Sequence, residues 1–130
     1  MYRYALFDLF GTLVDDQGKA MAGAAALLAG LPPDRWAIVT SCPRGMALAL
    51  IARAGLPTPR VLVSADDVER GKPAPDCYLA AAAAFGAEPK DCIAIEDSTG
   101  GIAAARAAGM DVIAVGRGLA IADVRLELTG

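Results

Sequence analysis

Histidine is absent from the 130 residues of this chain, and that gap removes several chemistries at once. Ser-His-Asp and Cys-His nucleophile pairs need an imidazole base, and HExxH sites and Cys₂His₂ fingers need it as a ligand. Catalysis here has to rest on carboxylates, lysine, hydroxyls and backbone N–H groups. Cysteine is scarce: Cys42, Cys77 and Cys92 form no CxxC pair, and their odd number argues against a disulfide framework. Cys92 lies in a strand-like run and reads as a small buried side chain. Cys42 follows Thr40 and Ser41 but has no histidine to activate it as a nucleophile. A basic surplus is also missing. With 12 Lys and Arg against 15 Asp and Glu the net charge is −3, so little is available to neutralise a phosphate backbone and nucleic acid is not an expected partner. No apolar run of about 18 residues is free of charges and breakers, and no signal-peptide pattern opens the chain. The expectation is a soluble, cytoplasmic protein with no membrane partner.

What is present suits a single core domain spanning residues 1–130. The chain is 55% apolar, much of it alanine, which forms helices well but buries little area per residue. Five short apolar runs alternate with helical stretches: Tyr4–Phe7, Trp36–Val39, Val61–Val63, Cys92–Ile95 and Val112–Val115. Such alternation predicts an α/β fold, a Rossmann-like three-layer arrangement with a parallel five-stranded sheet and helices on both faces. Helices are expected from Lys19 to Ala29, from just after Ser41 to Gly55, from Pro75-Asp76 to Gly86, and from Ser98 to Ala108. The stretch from Ile121 to Leu128 reads as a short helix or a strand.

Polar groups close or follow these runs. Asp8 stands where the first strand emerges, with Gly11 permitting a sharp turn and Thr12 offering a hydroxyl and an N–H beside the carboxylate. Thr40 and Ser41 follow the second strand, and Glu96-Asp97-Ser98 closes the fourth. Lys72 sits in the loop after the third, inside Arg70-Gly71-Lys72-Pro73-Ala74-Pro75-Asp76. In a parallel sheet these strand ends share one edge, where open α/β sheets place their ligands. Asp8, Thr40, Lys72 and Asp97 are therefore expected to be neighbours.

Two carboxylates at adjacent strand ends suit a hard cation such as magnesium, which takes oxygen ligands, waters and a phosphate oxygen. Read alone, Glu96-Asp97-Ser98 serves equally as a cap for the following helix. Thr40 and Ser41, ahead of a helix N-terminus, suit a phosphate oxygen and also a plain cap. Gly100 and Gly101 read as sites of close packing rather than of ligand contact.

Phe7–Asp15, Val39-Thr40-Ser41, Gly71-Lys72-Pro73 and Ile95–Ser98 together resemble the four motifs of the haloacid dehalogenase (HAD) superfamily, in its sugar-phosphatase-like branch. The resemblance runs from Tyr4 to Gly116. It implies a magnesium-dependent phosphohydrolase of small phosphate esters. Asp8 would attack phosphorus to form an aspartyl-phosphate, Lys72 would neutralise charge, and Gly11, Thr12, Thr40 and Ser41 would hold the substrate. Asp8, the carbonyl of Phe10, Glu96 and Asp97 would hold Mg²⁺, with Glu96 in a supporting place.

Two departures accompany the match. Phe10 stands where related phosphatases carry a second aspartate, the general acid/base, so slow turnover is expected. Only Asp16-Gln17-Gly18-Lys19 or so bridges the place where related enzymes insert a cap domain, so a capless, open site with weak discrimination is expected, unless a homo-oligomer covers it. 2-Haloacid dehalogenases also carry an aromatic residue at the Phe10 position but need no metal. A carbon–halogen hydrolase, and a weakly active phosphate-binding or structural protein, are the alternatives.

Overall fold

The apolar runs become strands almost residue for residue in the computed structural model, which describes residues 1–129. They are β1 (Tyr4–Phe7), β2 (Trp36–Val39), β3 (Val61–Val63), β4 (Cys92–Glu96) and β5 (Asp111–Ala114). All pair in parallel, in the order β3-β2-β1-β4-β5. β4 runs one residue beyond the apolar stretch because Glu96 still pairs with Ala114. The helices are α1 (Ala24–Ala29), α2 (Arg44–Arg53), α3 (Asp76–Ala84) and α4 (Thr99–Ala107). No described helix is long and apolar enough to cross a membrane.

Alternation along each strand sends side chains to opposite faces, and the two faces differ in composition. Ala5, Phe7, Trp36, Ile38, Ile93 and Ile95 point to one side, where Leu28 of α1 and Ile51 of α2 cover them. Leu6, Ala37, Val39, Cys92 and Ala94 point to the other, against Cys77, Tyr78, Ala81 and Ala82 of α3 and Ala104 and Ala105 of α4. The first face is filled by large side chains. Each contributes roughly 1.5–3 kcal/mol when fully buried. The second is filled largely by alanine, which lets α3 and α4 lie close to the sheet.

The first helix is shorter than its composition suggests. Gly23 holds φ at 87°, outside the helical region, and Ala20 forms an antiparallel bridge to Val14. The stretch from Lys19 to Gly23 is thus committed to a turn that folds back on the segment after Asp8. No separate unit is inserted between β1 and α1. At the other end, residues 121–128 form neither a full helix nor a strand. A single 3₁₀ turn over Ile121–Asp123 is followed by irregular chain, and Ile121 and Val124 are buried in the large-residue core.

Candidate active site

Four of the five strands deliver a polar group, directly or through the next loop, to one edge of the sheet. Asp8 leaves β1 with its N–H held by the Ile95 carbonyl at 3.0 Å. Gly11, at φ 89°, turns the chain back so that its N–H reaches the Val14 carbonyl at 2.7 Å. Its lack of a side chain also matters: a Cβ there would lie 2.2 Å from Asp97 Oδ2. Glycine thereby lets the turn after β1 press against the end of β4.

Lys72 is the centre of the arrangement. Its loop is closed by Arg70, which donates from Nη2 to Asp76 Oδ1 at 3.0 Å and from Nε to Oδ2 at 3.3 Å. From there the lysine reaches inward, its side chain almost fully buried. Nζ donates to Asp8 Oδ1 at 2.8 Å, to the Val39 carbonyl at 3.1 Å and to Glu96 Oε2 at 2.5 Å. An ammonium has three hydrogens, and all three are engaged. Lys72 therefore ties together the ends of β1, β2 and β4.

Glu96 is fully buried, and Tyr78 from α3 donates its phenol to the same Oε2. Oε1 finds no hydrogen-bond partner among the described residues and lies against α4, where a Cβ on Gly101 would come within 2.0 Å of it. The expected close packing is present at Gly101 and is directed at this carboxylate. It is absent at Gly100, where a Cβ would meet nothing within 4 Å, and both glycines line the cleft at this edge of the sheet. Ser98 caps α4, its hydroxyl accepting from the Gly101 N–H at 3.0 Å. Glu96-Asp97-Ser98 thus serves both as a cap and as an acidic cluster.

Thr12 is fully buried, its Oγ1 3.1 Å from both Asp8 Oδ2 and Asp97 Oδ1. Its hydroxyl is turned inward onto the two carboxylates, an orienting position that differs from the substrate contact expected of it. Thr40 is buried and its Oγ1 accepts from the Cys42 N–H at 3.1 Å, leaving its own proton to donate. Ser41 is exposed. Asp8, Phe10, Thr40, Ser41 and Lys72 line one open cleft of about 430 Å³. Phe10 is 49% exposed at its rim.

Burial and neighbouring charge together set the protonation of the site. Burial pushes the Asp8 carboxyl up to about 7, opposed by the Lys72 ammonium and reinforced by Glu96. Burial works to lower Lys72, but Asp8 and Glu96 outweigh it and hold the ammonium above the ordinary lysine range. Burial, then Glu96, pushes the Tyr78 phenol well above its usual value, which keeps it a donor.

Asp8, Glu96 and Asp97 each offer a carboxylate oxygen within 4.8 Å of the others, with only Lys72 to balance them. Clustered hard oxygen donors with surplus negative charge fit a hard divalent cation. Sequence reasoning missed Tyr78. Its one signal was a phenol on an otherwise alanine-rich helix, since a buried tyrosine usually finds a partner for its hydroxyl.

The profile of the haloacid dehalogenase-like hydrolases matches residues 16–109, a span that takes in Thr40, Lys72, Glu96 and Asp97 and begins just beyond Asp8. Hexitol phosphatase A of Escherichia coli (strain K12) is 48% identical over 101 residues, covering 74% of this chain and 45% of that protein. A putative beta-phosphoglucomutase from Thermotoga maritima superposes with a TM-score of 0.68 at 32% identity, over 72% of this chain and 45% of that one. A HAD family hydrolase from Deinococcus radiodurans R1, solved with bound phosphate and sodium, gives a TM-score of 0.80 at 24% identity, over 85% of this chain and 79% of that one, a likeness of fold. The chain spans about half the length of the curated relatives it matches.

Proposed function

This chain belongs to the haloacid dehalogenase-like hydrolase family, and from that premise we propose that it is a magnesium-dependent phosphohydrolase of small phosphate esters, acting through a phosphoryl group carried on Asp8. The observation that carries this proposal is the Asp8 carboxylate at the floor of an open cleft, oriented by Lys72 on one oxygen and by Thr12 on the other. The names of relatives such as hexitol phosphatase A support it. We take residues 1–130 as one capless core domain.

Asp8 attacks phosphorus as the ester oxygen leaves, and water then releases phosphate and regenerates the carboxylate. Lys72, fixed by Glu96 and the Val39 carbonyl, offsets negative charge beside the transferring group. The Thr40 and Ser41 hydroxyls hold phosphoryl oxygens at the cleft wall. Asp8, the Phe10 carbonyl and Asp97 would hold the cation, which supplies charge neutralisation for those oxygens. We assign Glu96 to anchoring Lys72, because one of its oxygens is taken by Lys72 and Tyr78 and the other is packed against Gly101. Thr12 keeps Asp8 and Asp97 in place. The acidic cluster favours this chemistry over carbon–halogen hydrolysis, which has no use for a cation site.

The test is phosphate release from a panel of esters with magnesium or with chelator, alongside calorimetric titration of magnesium. Release that depends on magnesium and vanishes in Asp8→Asn is the expected result, together with weakened magnesium binding in Asp97→Ala. Equal magnesium affinity in wild type and Asp97→Ala would defeat the cation site. Turnover in chelator would defeat the metal dependence.

A further inference from the structure

Resting on phosphoryl transfer at Asp8 as proposed above, we infer that the site takes aryl phosphates, esters whose leaving group departs as a stable phenolate, and that the ring of Phe10 meets the ring of that leaving group. The first support is the supply of protons at the cleft. Asp8 is the attacking group. Every hydrogen of Lys72 is already donated to Asp8, Val39 or Glu96, so none points at a departing oxygen. The Thr40 and Ser41 hydroxyls are too weakly acidic to protonate a departing oxygen. Cys42 is the one other titratable side chain on the cleft wall. An aliphatic alkoxide is a strong base whose departure benefits from general acid help worth about 10²–10⁴-fold. A phenolate departs without it.

The second support is Phe10 itself. A large apolar side chain 49% exposed lines the cleft together with Asp8, Thr40, Ser41 and Lys72, so its free face is turned toward whatever enters there. A ring in that place offers an offset-stacked or edge-on contact to an aromatic group, worth roughly 0.5–1.5 kcal/mol beyond area burial. In the transfer, the Asp8 oxygen–phosphorus bond forms as the phosphorus–phenol oxygen bond breaks, and the electron pair of that bond leaves on the phenolate. Water then attacks phosphorus, Asp8 leaves as a carboxylate, and hydrogen phosphate and one proton pass to solvent. Selection acts on the acidity and planarity of the leaving group, which is compatible with an open site that reads little of its shape.

Steady-state kinetics of the magnesium-loaded chain test this with three probes: phenyl phosphates of graded phenol acidity, glycerol phosphate, and acetyl phosphate as an acidic but non-aromatic case. The expected kcat/KM rises steeply with leaving-group acidity, and glycerol phosphate lags by about 10²-fold or more. Phe10→Ala should raise KM for phenyl phosphates more than for acetyl phosphate. Phe10→Asp should speed glycerol phosphate selectively. A flat dependence on acidity, or a selective loss of glycerol phosphate turnover in Cys42→Ala, would overturn the inference and leave the phosphohydrolase standing. So would equal KM changes in Phe10→Ala. Failure to hydrolyse any probe, with no phosphoryl group found on Asp8, would overturn both.

Discussion

The two faces of the sheet are built from different materials and carry different work. Beneath α1 and α2 lie Phe7, Leu28, Trp36, Ile38 and Ile51. Beneath α3 and α4 the cluster is dominated by Ala37, Ala81, Ala82, Ala94, Ala104 and Ala105, and its upper end holds Glu96, Tyr78 and the packed Gly101. Large side chains fill volume and stabilise. Small ones allow close approach, so that a phenol from α3 and a glycine of α4 both reach a carboxylate on β4. One face makes the sheet stable; the other places charge at its edge.

A matched pair of substitutions breaks this contrast most severely. Phe7→Ala removes a fully buried ring and should cost about 3–5 kcal/mol, with magnesium affinity unchanged per folded molecule. Lys72→Met strands Asp8 and Glu96 without their cation and should cost a similar amount, about 3–5 kcal/mol. Its magnesium affinity should rise, because a competing positive charge has gone, and added magnesium should restore part of the lost stability. Urea unfolding with and without magnesium checks both. Identical magnesium responses in the two variants would erase the distinction between the faces.

Gly101→Ala sharpens the comparison at one atom. The added Cβ would sit 2.0 Å from the buried Oε1 of Glu96, so the carboxylate must shift and Lys72 with it. Overpacking of this kind costs about 1–3 kcal/mol, and phosphate release should fall with stability. Gly100→Ala, whose Cβ meets nothing within 4 Å, should be stabilising by up to about 1 kcal/mol through helix propensity. Thermal unfolding of the two alanine variants is the measurement, and equal midpoints would contradict the packing described here.

Much of this division was legible in the sequence. Tyr4–Phe7, Trp36–Val39 and Val61–Val63 are strands with the bounds their apolar runs suggest, because fully buried parallel strands need continuous apolar residues. Asp8 and Lys72, 64 positions apart, meet at 2.8 Å because parallel strands put their ends on one edge. What escaped depended on tertiary placement. The start of α1 is set by Gly23 and by the Val14–Ala20 bridge, which override the helix propensity of the alanines. The inward turn of Thr12 follows from where β4 ends, and the reach of Tyr78 to Glu96 follows from how close α3 lies to the sheet. Local pattern carries neither.

A smaller effect separates the faces by pH. Asp8 is pushed from the ordinary value of 3.8 up to about 7 by burial, so folding favours its neutral form. The stability this contributes is present below pH 3.8 and is lost as pH rises through about 7. In chelator, the melting temperature of wild type should therefore fall relative to that of Asp8→Asn between about pH 4 and 7. Magnesium affinity should climb over the same window, since the cation binds the carboxylate. Parallel melting curves for the two proteins across that range would count against the burial of Asp8.

The most direct test of phosphoryl transfer at the alanine-lined edge is acid-quenched mass spectrometry of the tryptic peptide Tyr4–Lys19, after brief mixing of the protein with magnesium and acetyl phosphate. We predict one phosphoryl group, assigned by fragmentation to Asp8, formed within the turnover time and absent from Asp8→Asn. Hydrolysis without any modified peptide, or with the group on Asp15 or Asp16, would contradict the assignment of Asp8 as the phosphoryl acceptor.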